Sequence, residues 1–349
     1  MVVYHSDYLS LAFFYLFRKC RFENEEIPQK IRWIFGGNMY FCRTNPIVQS
    51  AMRNFFFLEC LVLFGLFLQP LMGQPVKNKD LYDVPVEKAR LVPVFMPICK
   101  QASFISHEHL VCLSNDGHAI AYPLFLTEDS TCFDLASSIF QPHCNVANVR
   151  KRKGQDYIYV SEWDGHRRLF VEMVKRDRLT ATWNARMVQT ITTDIPDSIA
   201  GGGFRDWVVD TDNDRLYAHT YLEGTPGNDR TGTAVVLLEF ALPPLDSPTV
   251  VLQVDDILRQ KRFPMIYVTQ DKEVYKGKLL VLAGLRTKKS ENWDDSRKLL
   301  VIDLLSMKVE KLIDMSFYFD EPEGIDIYRD KVYVTFRRGT FLLENKLFN

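Results

Sequence analysis

Short apolar runs, each followed by a tight polar turn and a second apolar run, recur along this chain. The clearest are Asp156-Tyr157-Ile158-Tyr159-Val160-Ser161, Arg215-Leu216-Tyr217-Ala218-His219-Thr220, Lys278-Leu279-Leu280-Val281-Leu282-Ala283 and Lys331-Val332-Tyr333-Val334-Thr335-Phe336, with a weaker copy at His109-Leu110-Val111-Cys112-Leu113-Ser114. Runs of this length, rich in β-branched and aromatic residues, predict strands. Asp164-Gly165 and Asp212-Asn213-Asp214 fall between runs and supply turn residues, so neighbouring runs form antiparallel meanders. Only Val254 to Arg259 reads as briefly helical. With no long 3.6-residue period anywhere, an α/β fold is excluded and an all-β fold is expected.

The runs return at a spacing of roughly 45 to 65 residues with several strands per unit, the signature of a β-propeller. Five units are visible. A sixth is compatible with residues 115–145, where the repeat is poorly marked, so the expected ring has five or six blades in a single domain over residues 85–349. The last unit is short of strands. A propeller closes its ring by completing the final blade with a strand from the other terminus, and residues 89–98 are the natural donor. Pro93 inside that segment suits an outer or edge strand.

The 43 basic and 44 acidic residues leave a formal charge of −1. No electrostatic footprint for nucleic acid is present. Arg53 followed by the apolar stretch Phe55 to Leu68 and a cut at Gly73/Gln74 has the layout of a secretory signal over residues 52–73. The mature chain is then secreted or periplasmic, touching a membrane only transiently through that segment. Met52 reads as the true start and residues 1–51 as a gene-model extension. In the competing reading, Leu9 to Phe17 and Phe55 to Met72 are two membrane-associated stretches, but neither reaches the ~20 residues of a span. After cleavage Cys99, Cys112, Cys132 and Cys144 remain, either as up to two disulfides in three connectivities or as buried apolar thiols.

Four segments carry a resemblance: Pro142 to Asn148, Tyr157 to Glu162, Asp206 to Asp210, and Glu321-Pro322-Glu323-Gly324-Ile325-Asp326-Ile327. They resemble a family of secreted propeller proteins of gut-type Bacteroidetes that brings no activity with it. More remotely they are similar to NHL and gluconolactonase-like (SMP-30-type) propellers. The resemblance spans roughly residues 85–345 and implies the fold and export. In gluconolactonase-like enzymes, loop acids of the Glu323 kind help to bind a catalytic metal.

Candidate sites follow from polar residues in loops that lead into the blades. His143, Asn145 and Asn148, with Glu162 on the next run, combine imidazole, amide and carboxylate groups suited to a divalent cation such as calcium or zinc. Glu323 is the matching acid on the last unit, making His143, Glu162 and Glu323 the metal candidates. The competing reading of these residues is hydrogen bonding of the inter-blade turns. Trp163-Asp164 and Asp206-Trp207 pair an indole with a carboxylate, a chemistry suited to sugar rings. His107-Glu108-His109 puts two imidazoles on one face of a strand, a possible metal pair. Asp210 to Asp214 lacks the glycine and the glutamate of an EF-hand and reads as a hairpin turn. Gly201-Gly202-Gly203 lacks the lysine of a phosphate loop. The leading functional reading is a non-enzymatic scaffold that binds a small molecule, glycan or protein on one face of the ring. A metal-dependent lactonase or hydrolase, and a carbohydrate-binding or lyase propeller, are the alternatives.

Overall fold

The computed structural model describes residues 83–125, 129–162, 167–177, 179–202, 205–221, 233–265, 268–284 and 297–348. Trp163, the expected signal segment 52–73, residues 1–51, and residues 224–232 and 286–295 lie outside them. No helix among the described residues is long and apolar enough to cross a membrane. Two short strands come first, β1 (Val86–Lys88) and β2 (Leu91–Phe95). Blade I is β3 (Ser103–Ser106), β4 (His109–Leu113), β5 (His118–Pro123) and β6 (Thr131–Asp134). Blade II is β7 (Val146–Arg152), β8 (Gln155–Ser161), β9 (Leu169–Arg176) and β10 (Trp183–Asp194). Blade III is β11 (Arg205–Asp210), β12 (Arg215–Tyr221), β13 (Thr233–Ala241) and β15 (Arg259–Met265). Between its last two strands the chain forms β14 (Thr249–Gln253), which pairs in parallel with β10 of blade II. Blade IV is β16 (Thr269–Tyr275), β17 (Lys278–Ala283), β18 (Lys298–Asp303) and β19 (Lys308–Asp314), with β1 added in parallel outside β19. Blade V is β20 (Pro322–Tyr328), β21 (Lys331–Phe336) and β22 (Gly339–Leu343).

Within blade V, β2 completes the sheet from the N-terminal side, antiparallel to β22 with Leu91 opposite Leu343. It forms the edge of its sheet, where the missing N–H of Pro93 breaks no ladder. The innermost strands β3, β7, β11, β16 and β20 touch in cyclic order, which makes a closed propeller of five blades. The six-blade option is therefore corrected: residues 115–145 hold the outer strands of blade I and a 3-10 helix, Ala136–Phe140. The expected helical segment after Gln253 is a single 3-10 turn, Val254–Asp256.

The apolar residues gather into five clusters, each centred in one gap between neighbouring blades. Leu216, Trp207 and Phe240 of blade III meet Tyr159, Leu169 and Ile191 of blade II, for example, and Leu280, Leu299 and Val301 of blade IV meet Val334 and Phe336 of blade V. A middle strand is thus covered on both faces, and β4 is buried at every position. This is why the strand runs are continuously apolar rather than cleanly alternating.

The inner strands have only one ladder neighbour each, so some of the N–H and C=O groups facing the axis need partners from outside the sheets. Side chains of adjacent blades supply them. Asp271 of β16 accepts from the backbone N–H of Ala147 in β7 (3.2 Å), Ile325 in β20 (3.1 Å) and its own neighbour Lys272 (2.8 Å). Asn148 of β7 donates to the Lys272 carbonyl at 2.7 Å and accepts from the Val209 N–H of β11 at 3.0 Å. Ser103 of β3 donates to Asp326 of β20 at 2.5 Å. The Lys272 ammonium lies 2.5 Å from Asp206 of β11, whose other oxygen accepts from Asn145 at 2.9 Å. Burial pushes the carboxyls of Asp271, Glu273 and Asp326 upward, Asp326 to about 7.

Three expected outcomes test this arrangement. A Cβ on Gly324 would lie 2.0 Å from Ser103 Oγ and 3.0 Å from its backbone nitrogen, so Gly324→Ala forces blades I and V apart. It should cost roughly 1–3 kcal/mol in chemical denaturation. Lys272→Met leaves the Asp206 carboxylate buried without its cation and should cost about 3–5 kcal/mol, with Lys272→Met/Asp206→Asn recovering part of the loss in a double-mutant cycle. Asp326 holds its proton in the folded chain above the ordinary value of 3.8, so its contribution to stability falls as pH rises from about 4 to about 7. Unfolding at pH 5 and pH 8 should therefore show Asp326→Asn gaining on the wild type by on the order of 3 kcal/mol across that interval.

Candidate functional site

At the end of the ring where loops lead into the inner strands, the candidate residues are engaged with one another and with arginines. His143 and Cys144 both take left-handed backbone conformations, φ 63° and 48°, that turn the chain into β7. The His143 N–H donates to the Asn115 carbonyl at 2.8 Å. Asn145 and Asn148 serve the inter-blade bonds described above. The Glu162 carboxylate accepts from Arg168 Nε at 2.9 Å, Nη2 at 2.5 Å and the Arg168 backbone at 3.1 Å. Glu323 is buried, which raises its carboxyl well above the usual range, and lies 3.6 Å from Arg337. Beside it, Glu321 accepts from Gln270 at 3.0 Å, and Asp320 pairs with Arg338 at 3.0 Å.

His143, Glu162 and Glu323 are consequently not brought together. Among the described residues, no three His, Cys, Asp or Glu side chains are grouped to hold a metal ion. Neither do Asp206 and Trp207 present a sugar platform. Asp206 faces Lys272, while the Trp207 ring is fully buried against Phe240 with its indole N–H on the Arg167 carbonyl at 2.9 Å. Asp210 caps its turn by accepting from the N–H groups of Asp212 and Asn213, as a hairpin aspartate should. Cys99, Cys112, Cys132 and Cys144 are unpaired, and all but Cys132 are buried.

The opposite end of the ring carries the tight hairpins between the inner and second strands. His107 and Glu108 are the two central residues of the β3–β4 hairpin, with φ 48° and 61°, the signs a type I′ turn requires. The imidazole of His109, which opens β4, contacts the His107 carbonyl at 2.7 Å. Both imidazoles lie edge-on to Trp183, at 5.7 and 5.3 Å, so the expected histidine pair packs on an indole. Lys153-Gly154 makes the corresponding turn between β7 and β8, and Arg329-Asp330 that between β20 and β21.

These hairpins surround a cavity of about 800 Å³, lined by Ile105, His107, Glu108, Val149, Lys151, Arg176, Ile327 and Tyr328. Its walls come from three inner strands, β3, β7 and β20, and from the end of β9. Strand alternation places Ile105, Val149 and Ile327 as apolar lining, and Lys151 and Arg176 as positive lining, within one concavity. Glu108 is the carboxylate in the lining, and Arg329 stands 3.3 Å from it. Arg329 also lies over the rings of Tyr328 and Phe125, at 5.0 and 5.6 Å. Sequence reasoning reached His107 here but passed over the Arg150-Lys151-Arg152-Lys153 run, whose four successive basic residues were the available signal.

No protein-family model matches the sequence, and no curated protein does. Similar solved structures include glutaminyl cyclase from Myxococcus xanthus, 13% identical over 74% of this chain and 96% of that chain, with a TM-score of 0.43. They also include a tail fiber of a Staphylococcus aureus phage, 15% identical over 76% of this chain and 53% of that chain, with a TM-score of 0.45. A third is a Thermus thermophilus protein assigned as a glucose dehydrogenase, 12% identical over 73% of this chain and 99% of that chain, with a TM-score of 0.39. The propeller assignment rests on the five sheets and their cyclic order, not on these similarities.

Proposed function

We propose that this chain is an exported binding propeller whose ligand seat is the cavity at the hairpin end of the ring. The observation that carries the reading is the cavity itself, about 800 Å³ and walled by three blades of a closed ring. That volume falls within the range of small-molecule sites, and its mixture of apolar walls with a few charged groups is the usual composition of one. Export is supported by the apolar stretch Phe55 to Leu68 behind Arg53. The reading as a metal-dependent lactonase would require Glu162 and Glu323 to turn toward a common ion, whereas each faces an arginine.

A cavity-filling substitution tests the seat. Val149→Trp places an indole in the concavity on a residue of the wall, so compounds from a chemically broad library that raise the melting temperature of the wild type should lose their effect on this variant. Hits that stabilise Val149→Trp equally well would place the binding surface elsewhere.

A further inference from the structure

We infer that Cys99 and Cys112 close into a disulfide that locks the seam between blades I and V. The inference takes its oxidising surroundings from the proposed export and adds a covalent cross-link to the ring. Cys99 lies in the segment that runs from β2 of blade V into β3 of blade I, and its backbone N–H donates to the Arg337 carbonyl of blade V at 3.0 Å. The next two N–H groups, of Lys100 and Gln101, both donate to the carbonyl of Leu113 at the end of β4, at 3.3 and 3.1 Å. Cys112 directly precedes Leu113 on that strand. With Leu110, the two cysteines form the buried centre of one apolar cluster, against which Phe95, Ile105, Tyr122 and Leu124 pack. Burial, and after it the hydrogen bond with the Cys112 side chain, push the Cys99 thiol up.

The other two described cysteines are placed apart from this pair. Cys144 packs with Val111 and Leu113, whose side chains leave β4 on the face opposite Cys112. Cys132 shares the face of Cys112 but stands two strands away, since Cys112 is opposite Ile120 and Ile120 is opposite Cys132. Two strand spacings come to roughly 9.5 Å, beyond the limit of about 7 Å between the Cα atoms of a disulfide. Closure proceeds by exchange with a small-molecule disulfide. One cysteine thiolate attacks it and releases a thiol, and the second then attacks the mixed disulfide and releases the other. The cysteines lose two protons and two electrons, which turn the oxidant into two thiols. At 1% and 2% exposure, Cys99 and Cys112 are shielded from reagents once the blades have packed, so the exchange belongs to folding.

Refolding the full chain in a glutathione redox buffer, followed by denaturation in N-ethylmaleimide and mass spectrometry, tests the pair. Because the buffer supplies the oxidant, the outcome does not depend on whether the chain is exported. Cleavage after Lys, Arg and Glu puts Cys99 in peptide 91–100 and Cys112 in peptide 109–128, each as its sole cysteine. These two peptides should appear joined and free of maleimide, and should separate and take the label after treatment with dithiothreitol. Protein refolded with glutathione disulfide should melt at a higher temperature than protein refolded with dithiothreitol. In Cys112→Ala the two melting temperatures should coincide, whereas Cys132→Ala should keep the wild-type difference. Cys99 and Cys112 both carrying maleimide after oxidative refolding overturns the inference. So does either of them joined to Cys132 or Cys144, or a cross-linked chain that melts no higher than the reduced one.

Discussion

The fold depends on satisfying the backbone groups along its own axis. Five sheets set in a ring bring five inner strands together, and each of those strands is a sheet edge. Its unpaired N–H and C=O groups lie in a region that the blades close to water, so without partners the ring would be unstable at its centre. Asp271 meets this demand for blades II, IV and V with one carboxylate. Asn148 of blade II does the same for blades III and IV with one amide, and the Ser103–Asp326 bond joins I to V. Apolar contact between blades is non-directional and tolerates sliding, whereas these bonds fix the register of each inner strand against its neighbours. Burial disfavours the charged forms of Asp271, Glu273 and Asp326 and raises their carboxyls, although the hydrogen bonds they accept pull the other way.

Much of the ring was legible in the sequence because four of the five blades announce themselves through their second strands. Runs such as Tyr157 to Ser161 and Leu279 to Ala283 are apolar on both faces, being sandwiched between blades. Closure by residues 89–98 was legible as well, from the shortage of strands in the last unit and from Pro93. The inner strands were harder to see. Thr269-Gln270-Asp271-Lys272-Glu273 reads as a polar loop, yet it is a strand buried at its first four positions. The usual pattern inverts there: a strand facing the axis meets the polar edges of four others, so polar side chains are the ones that fit. The option of a sixth blade in residues 115–145 arose for a related reason, since Ile120 and Phe133 lie in short strands whose flanking residues are mostly polar or small.

The candidate site divided along the same line. Asn145, Asn148 and Asp206 carry the polarity and loop positions expected of ligand groups, and sequence alone has no means of distinguishing a ligand from an inter-blade clamp. Glu162 and Glu323 looked available because their arginines are hidden by local sequence: Arg168 is six residues away across a hairpin, and Arg337 comes from the neighbouring strand's end. The cavity at the hairpin end draws on residues from 105 to 328, a convergence set by the closed ring rather than by any one motif.

The pairing of β2 with β22 also orders events in time. Leu91 and Leu343 sit opposite each other, so a strand made early waits for the last strand before its sheet exists. Four blades have their full set of core strands in sequence order, but blade V joins the early strand β2 to three strands that are made last. Contacts of such sequence separation slow folding, because the chain must close its longest loop late. A nascent chain therefore remains an open ring until synthesis is nearly finished.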